Sequence, residues 1–129
     1  MNDVLARNSK YRIAALGYLK KAGHATNAEI LQHLQRTFPG LSATTVHRLT
    51  ARMAQRGEIS LAPKDRRGSL RYDANTAPHD HFLCQNCDRL RDVQIANQLR
   101  PMLEKQLGDC CVNGNFVING LCNKCKEGK

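Results

Sequence analysis

The chain has 129 residues, enough for one ordinary domain or two small ones, and a formal net charge of +9 from 20 Lys and Arg against 11 Asp and Glu. No apolar run reaches membrane-spanning length and the start, MNDVLARNSK, has no signal-peptide core, so a cytoplasmic protein without a membrane partner is expected. The charge is uneven: residues 1–72 hold 13 Lys and Arg against 4 Asp and Glu, residues 73–129 hold 7 against 7, as expected of a nucleic-acid-binding half joined to a sensing half.

Asn8 or Ser9 is expected to cap a first helix that runs to about Lys21, with Ile13, Leu16 and Leu19 as apolar positions and Gly23 as its stop. His24 falls in the loop that follows. Thr26 and Glu29 stand at capping-box spacing and predict a second helix, whose Ile30, Leu31, Leu34 and Phe38 form an inward stripe ended by Pro39 and Gly40. Ser42 predicts the cap of a third helix, SATTVHRLTARMAQRG, with Val46, Leu49 and Met53 toward the core and Gly57 terminating it. Its other face offers Thr44, Thr45, His47, Arg48 and Arg52. The period then changes to alternation: Ile59 and Leu61 make one strand and Leu70 and Tyr72 another, joined by PKDRRGS with Lys64, Arg66 and Arg67 at its tip.

Three helices and a basic hairpin in this order predict a winged helix-turn-helix domain over residues 1–72. The third helix would enter the major groove of double-stranded DNA and the hairpin tip would meet phosphates. The polar segment DANTAP opens a hinge assigned to residues 73–80. Residues 81–129 read as a small α/β unit with apolar stretches at Phe82 to Cys84 and Leu90 to Ile95. A helix is expected from about Asn97 to Leu107, in which Pro101 is tolerable only near the first turn, and Cys110 to Asn119 alternates moderately. Cys110 and Cys111 face opposite ways if they lie in a strand, so at least one is expected to be buried. Open strand edges in this unit predict pairing with a second copy, which places two reading heads for a palindromic site. The expected fold class is α+β: an N-terminal winged helix-turn-helix domain plus a small C-terminal α/β dimerisation domain.

Two metal-ligand patterns of different character occupy the second half. Cys84 and Cys87 form one C-x-x-C knuckle, and Cys122 and Cys125 form another after 34 intervening residues. A two-residue spacer lets both sulfurs of a pair face one point, which suits tetrahedral zinc; two disulfides are the competing reading. Asp73, His79, His81 and Asp92 offer nitrogen and oxygen only, chemistry that suits an exchangeable iron, manganese or zinc ion. Asp80 is read as pointing away from that set and His33 as a solvated helix residue. An enzyme such as a zinc hydrolase or nucleic-acid deaminase is disfavoured. No H-x-E precedes a P-C-x-x-C, and four thiolates leave no position open for water. A metal-storage protein would leave the basic helix-turn-helix half unexplained.

Through LSATTVHRL in the third helix, HDHFLCQNC at the first knuckle and GLCNKC at the second, the chain resembles the ferric uptake regulator family of bacterial metal-dependent transcription factors. The resemblance covers nearly the whole chain. It implies a homodimer on a palindromic operator, a structural Zn(II) held by Cys84, Cys87, Cys122 and Cys125, and a regulatory metal at the hinge. The chain is most similar to the peroxide-responsive branch, whose regulatory ligands match His24, Asp73, His79, His81 and Asp92. Aspartate at 92 carries the distinction, since the iron-responsive branch usually has glutamate there, and the role of His24 rests mainly on the resemblance. The implied regulatory ion is Fe(II) or Mn(II), with Zn(II) a further candidate. The implied peroxide response is oxidation of His24 or His79 beside Fe(II), with release of DNA by a repressor. An iron- or zinc-uptake regulator with the same ligands is the alternative within the family. The chain also departs from the family: CCVNGNFVING lacks a histidine and Pro78 replaces one, so a third metal site is not expected, and His47 stands where tyrosine is usual.

Overall fold

A computed structural model describes residues 2–127, with side chains from residue 10 onward. The chain forms two compact units, Met1–Thr76 and Ala77–Lys129. The division falls inside the segment read as a hinge, but Asp73 belongs to a strand of the first unit and Asp80 and His81 to a strand of the second.

The first unit contains α1 (Asn2–Ala22), β1 (His24–Thr26), α2 (Asn27–Leu34), α3 (Ala43–Gln55), β2 (Ser60–Ala62) and β3 (Arg71–Asp73). Both expected caps are present. Thr26 Oγ1 accepts from the Glu29 N–H while Glu29 Oε1 accepts from the Thr26 N–H, and Ser42 accepts from the Thr45 N–H. At the other end of α3, Gly57 has φ +77° and the Glu58 N–H donates to the Met53 carbonyl, the geometry by which a left-handed residue closes a helix. Ala15, Leu19, Ile30, Leu34, Val46, Met53, Ile59 and Tyr72 are buried together in one core. Each fully buried large aliphatic side chain there contributes about 1.5–3 kcal/mol.

Several expectations for this unit need correction. The first helix begins at Asn2, so Asn8 and Ser9 lie within it, and their side chains are outside the described ones. Ile13 is 64% exposed and Ala15 takes the inward position, because the helix phase is set by Leu19 against α2 and α3. His24 is not in a loop. Its strand, β1, pairs with β3, so the two-stranded hairpin becomes a three-stranded antiparallel sheet of order β1-β3-β2. Leu61 is 60% exposed, since Ile59 and Ala62 are the residues turned inward at that edge.

The second unit contains β4 (Asp80–Cys84), β5 (Leu90–Val93), α4 (Ala96–Leu107), β6 (Val117–Gly120) and α5 (Asn123–Glu127). β4 is central, antiparallel to β5 and parallel to β6. Pro101 lies inside α4 rather than in its first turn, leaving the Asn97 carbonyl without its usual donor. Cys110 and Cys111 lie in an irregular segment and both are exposed, against the expectation that at least one is buried. Among the described residues of this unit the buried apolar ones are Cys84 and Cys122 alone, whereas Met102, Leu107, Val117, Ile118 and Leu121 are exposed. A unit with so little apolar burial depends on other fastenings.

Candidate functional site

The parallel pairing of β4 with β6 sets Cys84 opposite Gly120, two residues before Cys122, so the ends of both knuckles meet. Gly120 eases this approach: a Cβ there would lie 3.0 Å from the Phe82 ring, which would have to give way by a few tenths of an ångström. The four sulfurs of Cys84, Cys87, Cys122 and Cys125 lie within 4.8 Å of one another. Cys87 and Cys122 are 3.8 Å apart. Zinc bonded to sulfur at about 2.3 Å gives tetrahedral edges of about 3.8 Å, so the donor set fits a zinc-type site. The Cys122 N–H donates to Cys84 Sγ at 3.4 Å and Asn86 Nδ2 donates to Cys125 Sγ at 3.2 Å. The N–H groups of Cys122, Cys87 and Asn86 bring the Cys84 thiol down to about 6 against the opposing effect of burial. Asn86 lowers Cys125 too, yet the Cys122, Cys84 and Cys87 sulfurs and burial outweigh it and push that thiol up to about 11. Four adjacent sulfurs cannot all carry charge unless a cation sits among them.

In the same unit β4 and β5 bring together three of the nitrogen and oxygen donors. His81 pairs in register with Asp92, and Asp92 Oδ1 lies 3.5 Å from both His81 Nε2 and His79 Nε2. His79 Nδ1 donates to the Ala77 carbonyl at 2.7 Å, so a neutral ring carries its lone pair on Nε2. With the ring neutral, a lone-pair nitrogen and a carboxylate oxygen face each other, a donor pair that a metal cation could take. Both histidines are buried and Asp92 is half open.

In the first unit the β1–β3 register places His24 opposite Asp73, with His24 Nε2 3.3 Å from Asp73 Oδ2. Asp73 is buried, and its Oδ1 accepts from the Asn75 N–H at 2.8 Å. Nothing in the short run HAT signals a strand. Only the free edge of β3 makes it one.

Asp80, between the two histidines, is fully engaged elsewhere. Its Oδ2 accepts from the N–H groups of Ile95 and Ala96 at the start of α4, and its Oδ1 from the Phe116 N–H just before β6. Burial pushes this carboxyl up, but those three N–H groups and the Arg100 guanidinium outweigh it and hold it below the usual aspartate range. One side chain therefore ties β4, α4 and β6 together, a role that the H-D-H spacing does not announce.

On α3, Thr44, His47, Arg48 and Arg52 are exposed along one face, opposite buried Val46, Thr50 and Met53. The Thr45 hydroxyl is instead 3.0 Å from Ser42 Oγ, within the helix cap. Between β2 and β3, Asp65 Oδ1 accepts from the N–H groups of Arg67 and Ser69, shaping a turn from which Lys64, Arg66 and Arg67 are exposed. Asn27 was not foreseen. It bonds to both His47 and Thr50.

The peroxide-responsive repressor PerR of Staphylococcus aureus is 28% identical over 125 residues, spanning 94% of this chain and 83% of that protein. Among solved structures, the Campylobacter jejuni peroxide stress regulator matches with a TM-score of 0.74 at 19% identity, covering 96% of this chain and 95% of its own. The Helicobacter pylori ferric uptake regulator Fur, a protein with three functional metal binding sites, matches with a TM-score of 0.73 at 22% identity, covering 93% of this chain and 84% of its own. At those identities the structural likeness is one of fold. The sequence also matches the Ferric uptake regulator family over residues 5–113, from α1 through the whole of α4. A match of that extent takes in both units, and the chain belongs to the ferric uptake regulator family of metal-responsive regulators.

Proposed function

We propose that this chain is a metal-dependent DNA-binding repressor, dimeric through its second unit, in which one divalent ion is held by His24, Asp73, His79, His81 and Asp92. The observation that carries the reading is the convergence of His79 Nε2 and His81 Nε2 on Asp92 Oδ1, each at 3.5 Å. Two imidazoles and one carboxylate with positions left open suit Fe(II), and Mn(II) shares that chemistry. His24 and Asp73 offer a second such pair from the DNA-binding unit, across a joint at residues 74–79. An ion that takes ligands from both units favours the one arrangement in which all reach it, and only that differential binding shifts the population. Structural Zn(II) on Cys84, Cys87, Cys122 and Cys125 fastens the second unit. The exposed Val117, Ile118 and Leu121 beside it supply apolar surface for a second copy.

In the DNA-binding unit, the exposed face of α3 with Thr44, His47, Arg48 and Arg52, with Thr45 half-buried in its first turn, reads the major groove of a palindromic operator. Lys64, Arg66 and Arg67 hold phosphates. Fe(II) held there would supply one electron for the cleavage of peroxide, with His24 or His79 as the side chain oxidised. The similarity to the S. aureus peroxide-responsive repressor supports this over metal uptake control. The test is DNA binding by the zinc-loaded chain on genomic fragments with Fe(II), Mn(II) or Zn(II), before and after peroxide. His79→Ala and Asp92→Ala should abolish the metal-dependent shift and leave a zinc-loaded dimer. An unchanged shift in either variant removes the switch.

A further inference from the structure

Asn27, the first residue of α2, reaches α3 and touches two of its side chains. Its Oδ1 lies 2.7 Å from the hydroxyl of buried Thr50, and its Nδ2 lies 3.2 Å from His47 Nδ1. The first distance is usual for an O–H···O bond and short for an N–H···O bond, so Thr50 donates to the amide oxygen. The amide nitrogen then faces His47, and it has only hydrogens to offer. His47 Nδ1 must therefore be the lone-pair nitrogen, which puts the ring proton on Nε2. The ring is otherwise exposed, on the same face as Thr44 and Arg48.

We propose that His47 is a base-reading residue of this chain, presenting Nε2–H as a single donor of fixed direction, and that Asn27 is its positioning residue. The proposal rests on α3 being the DNA-facing helix. A fixed donor distinguishes edges by what they accept. Guanine offers N7 and O6 to the major groove, both acceptors, whereas cytosine offers the N4 amino group, a donor. Adenine N7 and thymine O4 accept as well, so His47 rejects cytosine, and favours guanine over it, at one base pair of each half-site. Arg48 beside it also donates, but from a long flexible stem that no hydrogen bond of this kind orients among the described residues.

The zinc-loaded full chain with Mn(II) is used to select duplexes from a randomised DNA library, in parallel with His47→Ala and Asn27→Ala. Asn27→Ala suits the first turn of α2, and the Thr50 hydroxyl can then turn its one hydrogen to the Val46 carbonyl at 3.1 Å or the His47 carbonyl at 3.2 Å. At one base pair the wild type should favour guanine over cytosine by about 5- to 20-fold, and His47→Ala should bring that ratio close to 1. Replacing that guanine by 7-deazaguanine should weaken the wild type and leave His47→Ala unchanged. Asn27→Ala should narrow the same ratio while binding to unselected DNA stays the same, which a purely structural role would not do. In the free protein, ¹⁵N NMR should find His47 protonated on Nε2. A ring protonated on Nδ1 overturns the proposal with no DNA present. If the library yields no preferred sequence, the DNA-binding reading fails and takes this one with it. A preferred sequence that His47→Ala selects unchanged overturns the base-reading proposal alone.

Discussion

Replacing Asp80 should loosen the second unit while leaving the first intact. Its carboxylate accepts from the backbone N–H groups of Ile95, Ala96 and Phe116 at 3.0, 3.0 and 2.9 Å. A hydrogen bond to a charged group contributes about 1.5–3 kcal/mol, and a carboxylate at a helix N-terminus adds roughly 0.3–1 kcal/mol. The three N–H groups are partly buried and regain some water once unpaired, so Asp80→Ala should cost about 4 kcal/mol rather than the full sum. Asp80→Asn keeps one acceptor oxygen but turns an amino group toward a backbone donor, for a loss of about 2 kcal/mol. Hydrogen exchange on the zinc-loaded full chain reads this directly, with peptides covering residues 94–98 and 115–118 against the α3 peptide 43–55 as control. Protection should fall about a thousandfold in Asp80→Ala and about thirtyfold in Asp80→Asn, at roughly 1.4 kcal/mol per factor of ten, with α3 unaffected. Unchanged protection at Ile95, Ala96 and Phe116 in Asp80→Ala would refute the assignment of this side chain as the fastening of the unit.

Thr26→Ala removes one half of the capping box of α2 and should lower the stability of the first unit by about 1 kcal/mol in urea unfolding, whereas Thr26→Ser should retain most of it. Cys84→Ser should lose zinc by metal analysis and strip exchange protection from residues 80–93 and 117–125, with residues 43–55 still protected, because the second unit has little buried apolar surface to fall back on. Gly120→Ala should push the Phe82 ring aside by a few tenths of an ångström and cost about 1 kcal/mol. Combined with Phe82→Leu, which frees that space, the penalty should largely disappear in a double-mutant cycle.

What the sequence determined by itself is local. The caps at Thr26 and Ser42 and the closing Gly57 depend on contacts within five residues, so spacing alone identifies them, whereas α2 stops at Leu34, short of Phe38 and of the stop expected at Pro39 and Gly40. The two knuckles were legible for the same reason, since a two-residue spacer already points both sulfurs of a pair to one place. The rest depended on which strand edges find partners. His24 sits in a strand because β3 has an edge to fill, and that pairing alone sets it across from Asp73. Ile13 faces outward because helix phase is decided by what Leu19 meets, and Cys110 and Cys111 are both exposed because no strand forms at them. Asp80 and Asn27 are polar residues in polar surroundings along the chain, without a spacing that marks them. Only the folded backbone brings Ile95, Ala96 and Phe116 to the one and α3 to the other. A hydrogen bond between residues far apart in sequence leaves no periodicity to read.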